Sequence, residues 1–337
     1  MDPFVLHQIG NTGVSVTALG LGGAPLSGMV LADGIFGGTT SADALLIIRR
    51  AYDLGIRYFD TAPLYGNGRS EIRYGRGLAH LPRDSFSLST KVSRILEPVD
   101  GDDISPEGDD CISSLKVVFD FSRDGLIRSL DDSLKRLDLD RVDILYLHDS
   151  DYPGQHPESD FAQALETVIE LRDQGVVRAV GMGMNECQMT ARLVRSFDLD
   201  IILLAGRYTL LDQEALKEFL PLCVQRGVRV AIGGPYNSGI LARDLNGPVS
   251  FDYQPASDEL INRARNLQLI CENHGVDLKA ASLQFVLAHP AVVTIVPGVQ
   301  SVLELEENVK MLQEPIPTDL WMELKTSGLI PYEAPTS

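Results

Sequence analysis

Cysteine is scarce in this chain of 337 residues, and its four copies, Cys111, Cys187, Cys223 and Cys271, are scattered with no Cys-x-x-Cys pair. That spacing offers neither a disulfide framework nor a zinc-ligand pattern, so reduced thiols and no metal are expected. Basic residues are few as well. Twenty-nine Lys and Arg against 47 Asp and Glu leave a net charge of -18, which argues against nucleic acid or an anionic membrane as a partner. No apolar run approaches the thickness of a bilayer. Met1 to Gly10 holds no basic segment leading into an apolar one, so no secretory signal is read there and a cytoplasmic protein is expected.

What the chain does have is an apolar content of 44%, enough for a full core, laid out in regular alternation. Phe4–Ile9 and Val14–Val16, joined by Gly10-Asn11-Thr12-Gly13, read as a hairpin placed to plug the bottom of a larger body. Thr17–Gly23 reads as a first buried strand, followed by a glycine-rich loop to about Thr40. Further strands are expected at Arg57–Asp60, Phe86–Lys91, Val142–His148, Val177–Gly181, Ile201–Leu204, Arg229–Ile232 and Val292–Val296. Amphipathic helices are expected between them, at Ser41–Leu54, Ser70–Ala79, Arg123–Leu137, Asp160–Gln174, Glu186–Ser196, Gln213–Arg226, Ser257–Asn273 and Leu278–Ala288, with Glu304–Leu312 and Thr318–Thr326 after the last strand. Eight β/α units with no linker between them suit one closed (β/α)₈ barrel domain over residues 1–337. The rival, an open doubly wound sheet, would carry Gly-x-Gly-x-x-Gly after its first strand, and Gly20-Leu21-Gly22-Gly23-Ala24-Pro25 does not supply it.

In a barrel the carboxyl ends of the strands converge on one mouth. The second strand ends in Asp60, the third in Lys91 and the fourth in His148, while Tyr65 lies on the loop after Asp60, before a helix expected to be capped near Ser70. Each residue alone is commonplace; together they make a site. An adjacent ammonium favours a phenolate, so Lys91, held by Asp60, would lower the pKa of Tyr65. His148 would orient a substrate oxygen or relay its proton. Such a tuned phenol suits proton transfer coupled to hydride transfer. The long acidic connection from Arg94 to Ser122 reads either as a lid or binding loop or as a solvated mobile insertion with no role.

Phe59-Asp60-Thr61-Ala62-Pro63-Leu64-Tyr65-Gly66, Leu88-Ser89-Thr90-Lys91, Leu145-Tyr146-Leu147-His148 and Val296-Pro297-Gly298 with Glu307-Asn308 resemble the signatures of the aldo-keto reductases across essentially the whole chain. The resemblance implies a (β/α)₈ barrel, a nicotinamide cofactor, and Asp60, Tyr65, Lys91 and His148 as the catalytic tetrad, with Tyr65 as acid/base. Phe119–Gly125, Leu204–Asp212 and Gly233–Gly239 are similar to the aldose 1-dehydrogenase branch. That branch implies oxidation of the anomeric carbon of an aldose, such as L-fucose, L-galactose or D-arabinose, to a lactone. Pyridoxal, which also forms a cyclic hemiacetal, is an alternative substrate. NADPH-dependent aldehyde reduction and a nicotinamide-sensing regulatory role are the other readings.

The turn Pro297-Gly298-Val299-Gln300-Ser301 opens a helix and suits phosphate. By the resemblance it holds the adenosine end of the cofactor, with Glu307 and Asn308 near adenine, Asn237-Ser238-Gly239 near the pyrophosphate, and Asn185 a candidate for the carboxamide. NADPH-specific relatives place basic side chains where this chain has Gly298 and Glu304. A carboxylate there repels a phosphate and accepts from a ribose hydroxyl, so NAD is expected, with Gln300 leaving room for NADP. The aromatic that stacks on nicotinamide in many relatives aligns with Gly233. Tyr208, Tyr236 and Phe121 are candidates to replace that stack or to line a sugar pocket, although packing is the commoner role of a lone aromatic.

Overall fold

The structure, a computed structural model, describes residues 1–29, 38–99, 115–149 and 154–336. The chain opens with a hairpin of β1 (Leu6–Gln8) and β2 (Ser15–Thr17), then runs into β3 (Leu21–Gly22), α1 (Ser41–Leu54), β4 (Tyr58–Asp60), α2 (Arg69–Leu78) and β5 (Ser87–Val92). A ribbon of β6 (Arg94–Pro98) and β7 (Leu115–Phe119) follows, then α3 (Arg123–Leu137), β8 (Ile144–His148), α4 (Glu158–Asp173), β9 (Ala179–Met184), α5 (Gln188–Ser196), β10 (Ile201–Ala205), α6 (Phe219–Arg226) and β11 (Arg229–Gly233). A second small ribbon, β12 (Ser250–Phe251) and β13 (Gln254–Pro255), precedes α7 (Asp258–Asn273), α8 (Leu278–Leu287), β14 (Val292–Val296), α9 (Val302–Gln313) and α10 (Thr318–Thr326).

Eight strands, β14-β11-β10-β9-β8-β5-β4-β3, form one sheet in that order, and every pairing within it is parallel. Its two ends meet: Leu19 bridges Ile295 and Gly22 bridges Gly298, with Gly20 N–H donating to the Ile295 carbonyl at 2.8 Å and Gly22 N–H to that of Pro297 at 3.1 Å. The sheet is a closed (β/α)₈ barrel. Because both faces of such strands are covered, they read in the sequence as unbroken apolar runs.

Two apolar cores result. The larger lies between strands and helices. The smaller fills the barrel, where Tyr58, Tyr146, Ile201, Ala231 and Val293 pack on Ile9, Val14 and Val16 of the amino-terminal hairpin. The hairpin therefore closes the barrel floor, each of its fully buried aliphatics contributing about 1.5–3 kcal/mol.

Three expectations are corrected. The first barrel strand is only Leu21–Gly22, because Thr17 pairs with Leu6 in the hairpin. The helix expected over Gln213–Arg226 is a short 3₁₀ turn, Glu214–Leu216, followed by α6. Pro221 lacks an N–H, which suits it to the first turn of a helix, so α6 begins at Phe219. The connection after β5 begins and ends in the β6–β7 ribbon, with Arg94 paired to Phe119 and Pro98 to Leu115. Its acidic stretch, Asp100, Asp102, Asp103, Glu107, Asp109 and Asp110, lies outside the described residues, as do Cys111 and much of the glycine-rich loop. The three described cysteines are buried and free. Among the described residues no helix is long and apolar enough to cross a membrane.

Candidate active site

The loop that carries Tyr65 is fixed from both sides. Gly66, Asn67 and Gly68 take positive φ values of 63°, 53° and 90°, a left-handed run that turns the chain sharply into α2. A Cβ at Gly66 would lie 2.7 Å from that of Ser27. The helix begins at Arg69 without a side-chain cap, which corrects the expected cap at Ser70. The Ser70 hydroxyl instead accepts from Thr61 Oγ1 at 2.8 Å and donates to the Gly23 carbonyl at 2.9 Å. Below it Glu71, fully buried, accepts from Thr90 Oγ1 and Arg136 Nε, both at 2.6 Å, and so ties α2 to β5.

Asp60, Lys91 and His148 come from the ends of β4, β5 and β8, which are neighbours in the sheet. Lys91 Nζ donates to Asp60 Oδ1 at 2.9 Å, to Oδ2 at 2.7 Å and to the Thr61 carbonyl at 2.9 Å. Ser89 Oγ donates to the same carboxylate at 2.7 Å, and Tyr58, itself hydrogen-bonded to Tyr146, holds Ser89 from the barrel interior. The Lys91 ammonium lies 4.8 Å from the centre of the Tyr65 ring. The imidazole of His148 meets that ring edge-on at 6.0 Å. Space for Lys91 comes from β9, where a Cβ at Gly183 would lie 3.2 Å from Lys91 Cε.

The electrostatics differ from the sequence expectation at one point. Burial, followed by the Asp60 carboxylate, pushes the Tyr65 phenol well above its ordinary pKa, and Arg94 is the group that pulls it down. The Asp60 carboxylate, at hydrogen-bond distance from Lys91, offsets the charge of that ammonium. The phenol is therefore protonated at rest. Burial, then Arg94 and Lys91, hold His148 well below its ordinary pKa, so its imidazole is neutral; Nδ1 is buried with no partner.

A cavity of about 330 Å³ runs from Asp60 and Tyr65, past Leu203, Ala205 and Gly233 at the barrel mouth, to the β14–α9 turn and α9. Ser238, Gly239, Pro297, Gly298, Gln300, Glu304, Glu307, Asn308 and Tyr236 all line it. Tyr236 donates its hydroxyl to Asn308 Oδ1 at 2.7 Å. Glu304 accepts from Gln300 N–H at 2.8 Å while Ser301 Oγ accepts from Glu304 N–H at 3.2 Å, so the start of α9 is capped by its own side chains.

Four other candidates sit elsewhere. Tyr208 is fully buried against Phe285 and His289, at 5.2 and 5.6 Å between ring centres. Phe121 stacks on Phe119 and packs on His156 and Phe161. Both pack against other rings, and neither is among the residues that line this cavity. Asn185 is off the cavity, its carbonyl accepting from Arg207 Nε at 2.8 Å. Asn237 is buried and donates to the Gly206 carbonyl at 3.1 Å. In exchange the cavity is lined by residues the sequence reading missed: Pro25, Arg243, Tyr253 and Lys279. Arg243 falls four residues after Gly239, whose Cβ would crowd Arg243 Nε at 3.0 Å; a cation on a glycine-bearing loop was the available signal.

The lining fits a dinucleotide. Arg243 and the glycine loop offer a diphosphate a cation and close backbone approach, and Glu304, Glu307 and Asn308 offer polar partners to a nucleoside. A barrel with Asp60, Tyr65, Lys91 and His148 at its carboxyl mouth and such a cavity beside them defines an oxidoreductase class. The chain belongs to the aldo/keto reductase family, whose pattern matches residues 18–327, a family of nicotinamide-dependent oxidoreductases. It is similar to the pyridoxal 4-dehydrogenase of Microbacterium luteolum, 39% identical over 340 residues covering 96% of this chain and 97% of that one. It is also similar to a D-threo-aldose 1-dehydrogenase from Pseudomonas sp, 37% identical with 95% and 96% covered, and to the L-galactose dehydrogenase of Arabidopsis thaliana, 31% identical with 93% and 90% covered. The holo form of aldo-keto reductase AKR11C1 from Bacillus halodurans shares the fold, with a TM-score of 0.76 at 24% identity, over 99% of this chain and 98% of that one.

Proposed function

We propose that the chain is an NAD-dependent dehydrogenase that oxidises the hemiacetal carbon of an aldose to the aldonolactone. The carrying observation is the juxtaposition of Tyr65 with the Asp60–Lys91 pair and His148 at one end of a cavity that continues to α9. The dinucleotide, when bound, supplies the hydride acceptor. The phenolate form of Tyr65 takes the proton of the anomeric hydroxyl, and neutral His148 holds the same oxygen through a hydrogen bond. Asp60 fixes Lys91, which fixes the ring of Tyr65. The tetrad works as a unit.

Two features of the lining support NAD over NADP. The Glu304 carboxylate already caps α9 where a 2′-phosphate would seek backbone N–H groups. Lys279 Nζ is engaged by Glu307 Oε1 at 2.5 Å, so its charge is matched. A second reading, oxidation of pyridoxal hemiacetal, is favoured by the 39% identity to a pyridoxal 4-dehydrogenase. It uses the same tetrad.

The test is reduction of NAD and of NADP with L-fucose, L-galactose, D-arabinose and pyridoxal, for the wild type and Tyr65→Phe. NAD reduction with a sugar, lost in the variant, is expected. Turnover of pyridoxal alone selects the second reading. Undiminished turnover by Tyr65→Phe refutes the mechanism.

A further inference from the structure

We propose that Arg94 is a further positioning residue for this chemistry: it fixes His148 through Asp149 and faces Tyr65 with a buried positive charge that the Asp60–Lys91 pair does not supply. The inference rests on the reading of Tyr65 as acid/base.

Arg94 follows Lys91 by three residues, across a corner in which Ser93 has φ of 92°. A non-glycine residue in the left-handed region stores strain of order 1–3 kcal/mol. The corner folds the chain back so that two consecutive side chains grip two consecutive carbonyls of the β8 end. Ser93 Oγ donates to the His148 carbonyl at 3.3 Å, and Arg94 Nη2 donates to the Asp149 carbonyl at 2.9 Å and to Asp149 Oδ1 at 3.4 Å. Asp149 Oδ1 in turn lies 3.7 Å from His148 Nε2. The guanidinium is 4.6 Å from the centre of the Phe119 ring, and the Arg94 side chain is 2% exposed. Stability alone does not ask for a guanidinium there, since an apolar side chain of similar volume avoids the cost of burying a charge.

Among the described residues the charged and titratable groups facing Tyr65 are Asp60 from β4, Lys91 from β5, Arg94 from β6, His148 and Asp149 from the end of β8, and Tyr253 from the β12–β13 turn. With His148 neutral, two carboxylates and two cations face Tyr65 among the described residues. Removing Arg94 takes one positive charge away from this group. A phenolate at Tyr65 is then harder to form, and a proton on His148 easier to keep. Both effects oppose oxidation at neutral pH.

The experiment compares wild type with Arg94→Met, Arg94→Lys, Asp149→Asn and Tyr65→Phe over a range of pH. The probes are oxidation of L-fucose by NAD and reduction of 4-nitrobenzaldehyde by NADH. Arg94→Met is expected to lower kcat for oxidation about tenfold or more at neutral pH, with the loss shrinking as pH rises, because one unit of displaced pKa is tenfold in the base form. Arg94→Lys restores part of it. Asp149→Asn, which removes the opposite charge, shifts the profile toward lower pH, and so tests the inference even where Arg94→Met fails to fold. Profiles parallel to wild type in Asp149→Asn and in each Arg94 variant that folds would overturn it and leave Tyr65 as acid/base. A wild type silent on both probes, or Tyr65→Phe as fast as wild type, would overturn the functional reading and this inference with it.

Discussion

Asp60 holds the Lys91 ammonium with both carboxylate oxygens, which lie 2.9 and 2.7 Å from Nζ, with the side chains 5% and 1% exposed. Breaking a buried pair by removing one partner leaves an unmatched charge and costs about 3–5 kcal/mol. Asp60→Asn and Lys91→Met are each expected to lower stability by that order, and the double variant by clearly less than the sum. Urea unfolding midpoints of the four proteins measure this coupling. Additive losses would show that the pair is not the unit described.

The pH dependence of turnover should have one limb near neutrality. Burial and Asp60 raise Tyr65, so below its pKa the phenolate fraction grows as pH rises, approaching tenfold per unit. Burial and the two cations depress His148, so its protonation falls well below pH 6.5 and adds no acidic limb there. The kcat for oxidation is expected to climb steadily between about pH 7 and 9, while carbonyl reduction, which uses the protonated phenol, does not. A bell centred at neutral pH in the steady-state profile would contradict this assignment of Tyr65.

Gly183 is expected to matter to Lys91 alone. A methyl group there would press on Lys91 Cε at 3.2 Å, and the ammonium beyond it is clamped by Asp60. Gly183→Ala should cost about 1–3 kcal/mol by overpacking and lower kcat about tenfold through displacement of the Tyr65–Lys91 contact. Gly181→Ala is the contrasting variant. Its Cβ would fall 1.6 Å from the Ile201 carbonyl oxygen, so the β9–β10 pairing itself must give way, and loss of folded protein is expected. Thermal melts alongside kcat distinguish the two.

The barrel was legible because strands buried on both faces are unbroken apolar runs separated by helix-period segments. Strand ends are also where the tetrad became visible, since Asp60, Lys91 and His148 each close such a run. Loops were less readable. Tyr236 faces the cavity whereas Tyr208 and Phe121 pack against other rings, and no periodicity tells an aromatic on a loop which way to turn. Lys279 was missed for a related reason: it stands on the first turn of α8, and only the packing of α8 against α9 brings it to Glu307. Arg94 was read as the start of an acidic loop, when the left-handed Ser93 had already turned it back under the site.

Glu304 is the residue on which cofactor choice should turn. Its carboxylate closes the N-terminus of α9 by accepting from Gln300 N–H at 2.8 Å, a place where helix geometry otherwise favours an anion from outside. A 2′-phosphate would have to displace that carboxylate and then sit beside Glu307, whose own charge is matched by Lys279. Glu304→Gln removes the repulsion and keeps an acceptor for the backbone, so the proposed preference for NAD should narrow. Glu304→Lys adds a cation, and the ratio of kcat/KM with NADP to that with NAD should rise about tenfold or more, a change on the order of 1.4 kcal/mol in transition-state binding. The kcat with NAD should stay within about threefold, because no proton moves at this end of the cavity. An unchanged ratio in both variants would place the control of cofactor choice elsewhere, with Arg243 the next residue to replace.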